Sequence, residues 1–524
     1  MASGSQTTGV SRDEALIAAV GRVVAAVSTF ASFMVLVRAL SQVQYAQLGL
    51  ITGLQSFVHT VVVGPAITRA QREVWEWRQQ ATIARNCGHL VVAVTATQLV
   101  TNLAVVVVAA VLGWIGTREI LGVALGAVVA AVASGLATVF LVGWILRERL
   151  AFATHAVLDG VSRVAAAVAL SLLGVQEAWI YYLTMVLAGL FGAVVAYRLS
   201  RTRLGAHRIT FGFLVRGCEG ASLRNIVATL DASSLRLTKL LSWMLTTGNR
   251  YFLEPLVPRA ALGGFLASWG LGMSLMSIVD GLYAAVILPV LYQNTSGKND
   301  TAARRKLENS LYLAILLAAL VPLTVVAVSA AEHLAAVVLN NVSVVTIQVL
   351  RAGVVFAGLF TLLGNMINVS LVERKPKDVA TAMVTAFVVG ISSLVALTNR
   401  ASMAEGAWGL ALGAAAGLAV AFMLLRRGVS FRLLMGQAGH VALGSVAVAG
   451  IAWLVFRIWT ALELSAVWRV AGWGVVGTAW AAWLWLVMRP QIRRATQAAV
   501  LCLSHSPDGG SSIGPQVEPW DAIT

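Results

Sequence analysis

Residues 23–63 read VVAAVSTFASFMVLVRALSQVQYAQLGLITGLQSFVHTVVV. Two apolar runs are joined there by a short turn that carries a single basic residue, Arg38. Each run is long enough for an α-helix that crosses a bilayer, which needs about 20 apolar residues. The same alternation of apolar run and short polar gap continues along most of the 524 residues. The pattern therefore predicts an all-α polytopic membrane protein.

The composition agrees with this prediction. Hydrophobic residues make up 59% of the chain and charged residues 11%, and the mean hydropathy is +0.83. These values exclude an ordinary soluble protein, and about fourteen spans with short loops leave no room for a soluble catalytic domain. The net charge of +16 is explained by loop charge and by attraction to anionic lipid headgroups, so nucleic acid is not an expected partner.

The distribution of basic residues predicts the orientation. When the chain is divided into fourteen apolar runs, 28 of the 38 Lys and Arg residues fall at the N-terminus, in the even-numbered gaps and in the tail. The odd-numbered gaps hold six, and four lie inside apolar runs: Arg22, Arg163, Arg250 and Arg351. Because basic residues of short loops stay cytoplasmic, both termini are expected inside and the odd-numbered gaps outside.

The predicted layout is two lobes of six helices followed by two further helices. The junctions VRALSQVQYAQLGL (37–50) and EPLVPRAALGGFLA (254–267) are alike, which indicates a parallel repeat of the kind found in rocking transporters. A basic loop between the lobes is expected at the inner leaflet, either as an interfacial anchor or as a site that captures anionic membrane lipids. The predicted divisions are a cytoplasmic N-terminus (1–13), an N-lobe (14–199), the basic loop (200–236), a C-lobe (237–425), helices 13 and 14 (426–488) and a disordered cytoplasmic tail (489–524).

Ionisable residues inside the bilayer are candidates for function, because each costs about 2.5–3.5 kcal/mol on insertion scales. Arg22 in helix 1 either faces a cavity or snorkels to the inner surface. Arg351 in helix 10 shares a helix face with small and polar residues, which favours a water-filled cavity. The members of that face are Gly358, Thr361, Asn365 and Asn368.

Two pairs of residues have the four-residue spacing of an intrahelical ion pair. Asp159 and Arg163 in helix 5 are interpreted as a structural, self-neutralising pair. In helix 7, Arg250 follows Asn249 and precedes Glu254 by four residues, so it either pairs with that acid or remains available to a ligand.

Asp280 and His59 are the candidates for ion coupling. Asp280 in helix 8 has no basic residue within one turn, and its alternative role is a hydrogen bond to a neighbouring helix. His59 lies on a polar stripe of helix 2, which is expected to face a cavity or a partner helix. The three cysteines have no metal-binding or disulfide spacing, so no metal or other cofactor is expected.

Three stretches resemble the multidrug/oligosaccharidyl-lipid/polysaccharide exporter superfamily, and within it the O-antigen and exopolysaccharide (Wzx-like) flippase branch. They are FMVLVRALSQVQYAQLGLITGLQSFV (33–58), TTGNRYFLEPLVPRAALGGFLASWGLG (246–272) and ILPVLYQ (287–293). The chain departs from that branch at Asn249, where an acid is usual, and at Ala46 and Phe265, where Gly and Tyr are common. The missing acid argues against ion coupling at helix 7.

The resemblance implies a carrier rather than an enzyme. Such a carrier flips a polyprenyl-diphosphate-linked oligosaccharide across the bacterial inner membrane for surface polysaccharide biosynthesis, by alternating access between two lobes. Polysaccharide polymerase and glycosyltransferases of the same pathway are the implied protein partners. The family's cationic cavity receives the diphosphate, a role that suits the paired donors of a guanidinium. In this sequence that role falls to Arg22, Arg250 and Arg351, with Asn249, Asn365 and Asn368 nearby.

Other functions remain open. A peptidoglycan-precursor (lipid II) flippase also has fourteen helices and a cationic cavity. An ion-coupled multidrug exporter of the same superfamily would favour an acidic cavity, whereas the intramembrane charges here are mostly Arg. A membrane-embedded polysaccharide polymerase or glycosyltransferase would need a sizeable outer loop, and every predicted outer loop is short.

Overall fold

The computed structural model is helical nearly throughout the residues that it describes. These are residues 12–80, 82–145, 149–201, 233–286, 302–339, 342–372, 376–400 and 402–426, with scattered positions between 429 and 476. No strand occurs within these ranges, and ten of their helices are long and apolar enough to cross a membrane. The protein is therefore a multi-pass all-α membrane protein, and the predicted fold class is confirmed.

Each lobe contributes five of these ten helices together with its own first segment, so the N-lobe contains six spanning segments. Its second segment, helix 2, is interrupted by a π-helical stretch, π1 (Val58–Val63). The α-helices are α1 (Arg12–Ala39), α2 (Gln42–Phe57), α3 (Gly64–Gln79), α4 (Ile83–Val111), α5 (Ile120–Ile145), α6 (Arg149–Leu172) and α7 (Ala178–Arg201). Helix 2 thus consists of α2, π1 and α3.

The C-lobe has the same number of spanning segments, and its first one, helix 7, also contains a π-helical stretch, π2 (Met244–Gly248). Its α-helices are α8 (Ser233–Trp243), α9 (Asn249–Leu253), α10 (Arg259–Val286), α11 (Ala302–Ser329), α12 (Ala331–Val338), α13 (Val344–Val372), α14 (Pro376–Arg400) and α15 (Met403–Leu425). Helix 7 consists of α8, π2 and α9. The short α12, between the ninth and tenth spans, was not expected from hydropathy.

Several predicted segments fall largely outside the described residues. They are the N-terminus (1–13), the basic loop (200–236), the tail (489–524) and helices 13 and 14 (426–488). Within the last of these, the described positions include an apolar helical stretch, Val446–Val455.

The sharp turns of the N-lobe follow from local side-chain chemistry. Ser41 begins α2 as its N-cap, and its hydroxyl accepts a hydrogen bond from the Gln44 backbone N–H at 3.3 Å. Gly113 ends α4 with a φ of +66°, a left-handed conformation that glycine adopts without steric cost. These turns hold consecutive helices antiparallel, as short connections in a helical bundle require.

The two lobes repeat one packing pattern. In the N-lobe, α1 packs on α6, α6 on α7, α4 on α5, and α5 on α7. In the C-lobe, helix 7 packs on α14, α14 on α15, α11 on α13, and α13 on α15. These are the same pairs when the spans are counted from the start of each lobe. The pattern is what a parallel six-helix repeat would produce.

The lobes meet through the first two spans of each repeat. Within the described residues, α10 packs against α1 and α2, and helix 7 packs along helix 2. One hydrophobic cluster joins the C-lobe to the N-lobe around the α1–α2 turn, including Leu40, Leu50 and Leu262. A separate cluster fills the opposite end of the N-lobe, including Val63 and Phe140. The lobes therefore share a hydrophobic core at the end of the bundle that carries the α1–α2 turn. The charge distribution predicts that this is the outer end.

Candidate functional site

Trp243 and Tyr251 of helix 7 both donate to backbone carbonyl oxygens of α2. The Trp243 indole N–H donates to the Gly53 oxygen at 3.2 Å and to the Ser56 hydroxyl at 3.0 Å. The Tyr251 hydroxyl donates to the Leu50 oxygen at 2.7 Å. Since the acceptors belong to the N-lobe and the donors to the C-lobe, these bonds hold the two lobes together.

Aromatic rings line the same contact. The Tyr251 ring stacks on Trp114, from the turn after α4, with a centroid distance of 5.3 Å, and on Trp243 at 5.7 Å. Trp243 in turn meets the edge of Phe57 at 4.9 Å. This continuous stack crosses between the lobes, and such ring pairs add to the free energy of burial.

Arg250, a predicted substrate ligand, lies in this contact. Its Nη1 donates to the Gly49 carbonyl of α2, and its Nε donates to the Thr247 oxygen at 2.7 Å. The intrahelical pair with Glu254, one of the two alternatives for Arg250, is not formed. Glu254 instead lies 3.8 Å from Nη2 of Arg259, because the chain turns after α9 and brings Arg259 back towards it.

Asn249, the other candidate of helix 7, is fully buried. Its amide nitrogen donates to the Leu245 oxygen at 2.9 Å, across π2. Its Oδ1 accepts no hydrogen bond from any residue that the structure describes. In this conformation the Asn249 side chain therefore bonds to the backbone of its own helix and is not exposed to an open cavity.

A second group of polar residues lies towards the opposite, predicted inner end; we name His59, Lys239, Asp280 and Asn365 the inner cluster. Asn365 of α13 donates from Nδ2 to Oδ1 of Asp280 of α10 at 3.2 Å. The Lys239 ammonium of α8 interacts electrostatically with Asp280 and with His59 of π1. The cluster therefore draws on both lobes and unites three predicted site residues, His59, Asp280 and Asn365, with Lys239, a cation that the sequence analysis did not single out.

The inner cluster differs in exposure from one member to the next. Asn365 is buried, whereas the Asp280 and His59 side chains are exposed. Nδ1 of His59 lies 3.1 Å from Nε2 of the buried Gln98 of α4, which fixes the ring. Asp280 thus has the hydrogen bond to a neighbouring helix that was one of its two predicted roles. An ammonium, a carboxylate and an imidazole held this way can bind an anion and a cation in one region.

The remaining candidates are spread along the bundle. Arg22 lies in α1 and Asn368 in α13, but their side chains are outside the described part of the chain. Arg351 is half-buried in α13 and makes no hydrogen bond or ion pair with the residues that the structure describes. It lies 14 residues before Asn365, about 21 Å along the helix, so these two do not form one site.

Two positions of the polar face predicted for helix 10 meet different neighbouring helices. A Cβ atom built on Gly358 would come 2.7 Å from the Thr324 hydroxyl of α11. This glycine therefore serves close helix packing, while Asn365 on the same face contacts α10. The water-filled cavity proposed for this face stays a prediction.

Asp159 and Arg163 lie together in α6. The Arg163 Nη2 is 2.9 Å from Oδ1 of Asp159, and Nε donates to the same oxygen at 3.0 Å. Both side chains pack against α7, where a Cβ atom on Gly189 would come within 2.7 Å of Arg163. The pair therefore lies in the contact between α6 and α7, within the N-lobe, and does not reach the contact between the lobes.

Known proteins were compared with the chain at the level of sequence and of structure. No protein-family model and no curated protein sequence matches it. Solved structures do match. The lipid II flippase MurJ in an inward closed conformation superposes with a TM-score of 0.58 at 10% identity, over 92% of this chain and 100% of that chain.

Multidrug transporters superpose as well. The MATE transporter VcmN of Vibrio cholerae has a TM-score of 0.56 at 13% identity, over 81% of this chain and 97% of that one. A MATE transporter of the MOP superfamily in an outward-facing conformation has a TM-score of 0.57 at 13% identity, over 80% and 96%. At these identities the likeness shows the fold alone, which the chain shares with MurJ and the MATE transporters. The O-antigen branch stays a prediction.

Proposed function

We propose that the protein is a flippase of the bacterial inner membrane, with both termini cytoplasmic. It carries a polyprenyl-diphosphate-linked oligosaccharide outward by alternating access, for surface polysaccharide biosynthesis. The observation that carries the proposal is the contrast between the two ends of the lobe contact. The outer end is closed by a shared apolar core, and the inner end presents exposed ionisable groups, Asp280 and His59. A carrier waiting for a cytoplasmic substrate needs this arrangement.

Lys239 is the proposed first contact for the diphosphate. It is carried by α8, which packs against helix 2, and it interacts electrostatically with Asp280 and His59. An ammonium donates well to phosphate oxygens. Arg250 already donates to the Gly49 and Thr247 oxygens, so it becomes available only when the lobes move. Arg22 and Arg351 remain proposed ligands of the diphosphate at later stages of the transport cycle. The lipid tail stays in the bilayer beside the lobes.

Asp280 is proposed to couple transport to a cation. Its carboxylate accepts a hydrogen bond from Asn365 and interacts electrostatically with Lys239. A diphosphate that draws Lys239 away would leave the carboxylate with less neutralising charge, and a proton or sodium ion would then bind it more tightly. His59 is the second proposed group for this coupling.

A lipid II flippase is the second candidate, and one observation supports it. The MurJ structure covers 92% of this chain, whereas the MATE structures cover between 80% and 83%. Lipid II also carries a polyprenyl diphosphate, so the same inner cluster would serve either substrate. Polymerase and glycosyltransferases of the glycan pathway are the proposed partners for the first candidate only.

The test is a flipping assay in proteoliposomes. Two probes with a fluorophore on the sugar are used, a polyprenyl-diphosphate-linked oligosaccharide and a lipid II analogue, and a membrane-impermeant quencher reports which leaflet they occupy. Lys239→Gln is expected to slow flipping by roughly ten- to a hundredfold, because a charge-assisted bond is lost. Lys239→Arg should retain most of the rate, and Arg236→Gln, one turn earlier on α8, is the matched control.

The outcomes separate the candidates. Faster flipping of the oligosaccharide probe supports the first, and faster flipping of the lipid II analogue supports the second. If neither probe moves and cationic dyes are exported instead, the protein is a multidrug exporter and both proposals fail.

A further inference from the structure

The two helix junctions at the predicted outer end each contain one arginine that reaches the other lobe. Arg38, in the last turn of α1, donates from Nη2 to the Val337 carbonyl oxygen of α12. Arg259, the first residue of α10, donates from Nη2 to the Gly113 carbonyl oxygen at 3.2 Å. One bond runs from the N-lobe to the C-lobe, and the other runs in the opposite direction.

The acceptors occupy equivalent places in the two lobes. Gly113 lies between α4 and α5, the third and fourth spans of the N-lobe, and Val337 lies between α11 and α13, the third and fourth spans of the C-lobe. The donors lie in the connections between the first and second spans. The two bonds are therefore related by the repeat that the helix packing displays.

Both acceptors are carbonyl groups that their own helices leave open. Val337 is in the last turn of α12, and Gly113 follows the end of α4 in the turn that closes it. The last four carbonyls of a helix have no intrahelical partner, and the helix dipole makes that end attractive to a cation. Glu254, whose Oε1 is 3.8 Å from Nη2 of Arg259, steadies one of the donors.

The backbones of the lobes touch directly beneath these bonds. A Cβ atom built on Gly263 of α10 would lie 2.0 Å from the Gln42 carbonyl oxygen of α2. A cavity of only about 130 Å³ remains beside this contact, lined by Tyr45 and Gly264 among others. A diphosphate-linked oligosaccharide cannot pass there unless the lobes separate, and separation breaks both arginine bonds.

We propose that Arg38 and Arg259 form a reciprocal latch that holds the outer ends of the two lobes together, and that the latch opens when the lobes rock to release substrate. The inference rests on the alternating access of the proposed function but not on the identity of the substrate. Both guanidinium groups are exposed, so each bond exchanges readily with water. Two exposed hydrogen bonds can hold the outer ends of the lobes together and still break within a transport cycle.

The test measures distances between spin labels in the full-length protein, without substrate. In a background in which Cys87, Cys218 and Cys502 are replaced by Ser, Thr117→Cys and Val344→Cys place one label on the outer end of each lobe, at exposed positions. A second pair, Arg85→Cys and Arg426→Cys, reports the inner ends. Double electron–electron resonance gives the distance distribution for each pair.

Arg38→Ala/Arg259→Ala is expected to move the ratio of closed to open outer ends by roughly tenfold or more, because two hydrogen bonds are lost. The outer distance should lengthen and the inner distance should shorten together. Each single variant keeps one of the two bonds and should therefore show a smaller change in the two distances. If the double variant does not fold, the single variants provide the test. The matched control is Arg118→Ala in the same outer turn as Gly113, since Arg118 bonds to no described residue.

Three results would overturn the latch. They are unchanged outer distances in the double variant, an equal shift in the Arg118 control, and a longer outer distance without a shorter inner one, which would mean loosened loops rather than rocking. Because no substrate is added, the distances report on the latch even if the flipping assay rejects the proposed substrate.

Discussion

The two ends of the contact between the lobes differ in the chemical groups that meet there. At the outer end backbone meets side chain or backbone: Tyr251 donates to the Leu50 oxygen, and Gly263 lies against Gln42. At the inner end the groups are ionisable: Lys239 of the C-lobe interacts electrostatically with His59 of the N-lobe and with Asp280 of its own lobe. Bonds to backbone oxygens require a fixed spacing of the helices, whereas charged groups act over longer distances and tolerate water between them.

This difference separates stability from function. Substitutions at the outer end should change the free energy of unfolding, because tightly packed atoms have no room to rearrange. Substitutions at the inner end should change transport and leave the fold almost intact, because exposed groups contribute little to stability. Three substitutions test the contrast, in order of their expected effect on the free energy of unfolding.

The largest effect is expected for Gly263→Ala. Its new methyl group would lie 2.0 Å from the Gln42 carbonyl oxygen, so α2 and α10 must move apart. The expected loss is about 2 kcal/mol in the free energy of unfolding, as for an overpacked core position. It is measured in detergent as a lower thermal midpoint of the tryptophan fluorescence.

Gly281→Ala is the matched control, since it lies in the same helix and its Cβ atom would meet nothing within 4 Å. Alanine favours a helix by about 1 kcal/mol over glycine, so this variant should be as stable as the parent or more stable. Equal destabilisation by both substitutions would mean that the outer contact is not tight.

A smaller effect is expected for Tyr251→Phe. The substitution keeps the ring stack with Trp114 and removes the hydroxyl that donates to the Leu50 oxygen. The expected loss is about 1 kcal/mol, the usual net value of one hydrogen bond, measured by the same fluorescence midpoint.

Tyr181→Phe provides the comparison for this bond. The Tyr181 hydroxyl is buried and makes no hydrogen bond with any described residue, so its removal should be neutral or stabilising. A larger loss for Tyr181→Phe than for Tyr251→Phe would contradict the role given to the bond between the lobes.

The sequence predicts the spans well, because bilayer thickness dictates the length of an apolar run. The last apolar run of the N-lobe was predicted to end at residue 199 and α7 ends at Arg201. The last run of the C-lobe was predicted to end at residue 425, and α15 ends at Leu425. The π-helical stretches were missed, since one extra residue in a turn leaves the hydropathy of a helix unchanged.

The candidate site was only partly predictable. Helical periodicity identifies which residues share a face but not which neighbour that face meets. Arg250 donates to Gly49, 201 residues away, and Asp280 meets Asn365, 85 residues away. Lys239 was overlooked because a cation near the end of an apolar run is counted with the charges of the adjoining loop. Its partners lie on neighbouring helices, which the sequence alone does not identify.

The smallest effect on stability is expected for Asp280→Asn. The side chain is exposed and accepts a hydrogen bond from Asn365, which a neutral amide oxygen can still accept, so the free energy of unfolding should change by less than about 0.5 kcal/mol. Flipping in proteoliposomes should nevertheless lose its dependence on an imposed proton or sodium gradient. Glu332→Gln, an exposed acid on α12, serves as the control and should retain that dependence. Retained coupling in Asp280→Asn would exclude Asp280 as the coupling group, and a stability loss as large as that of Gly263→Ala would contradict the contrast between the two ends.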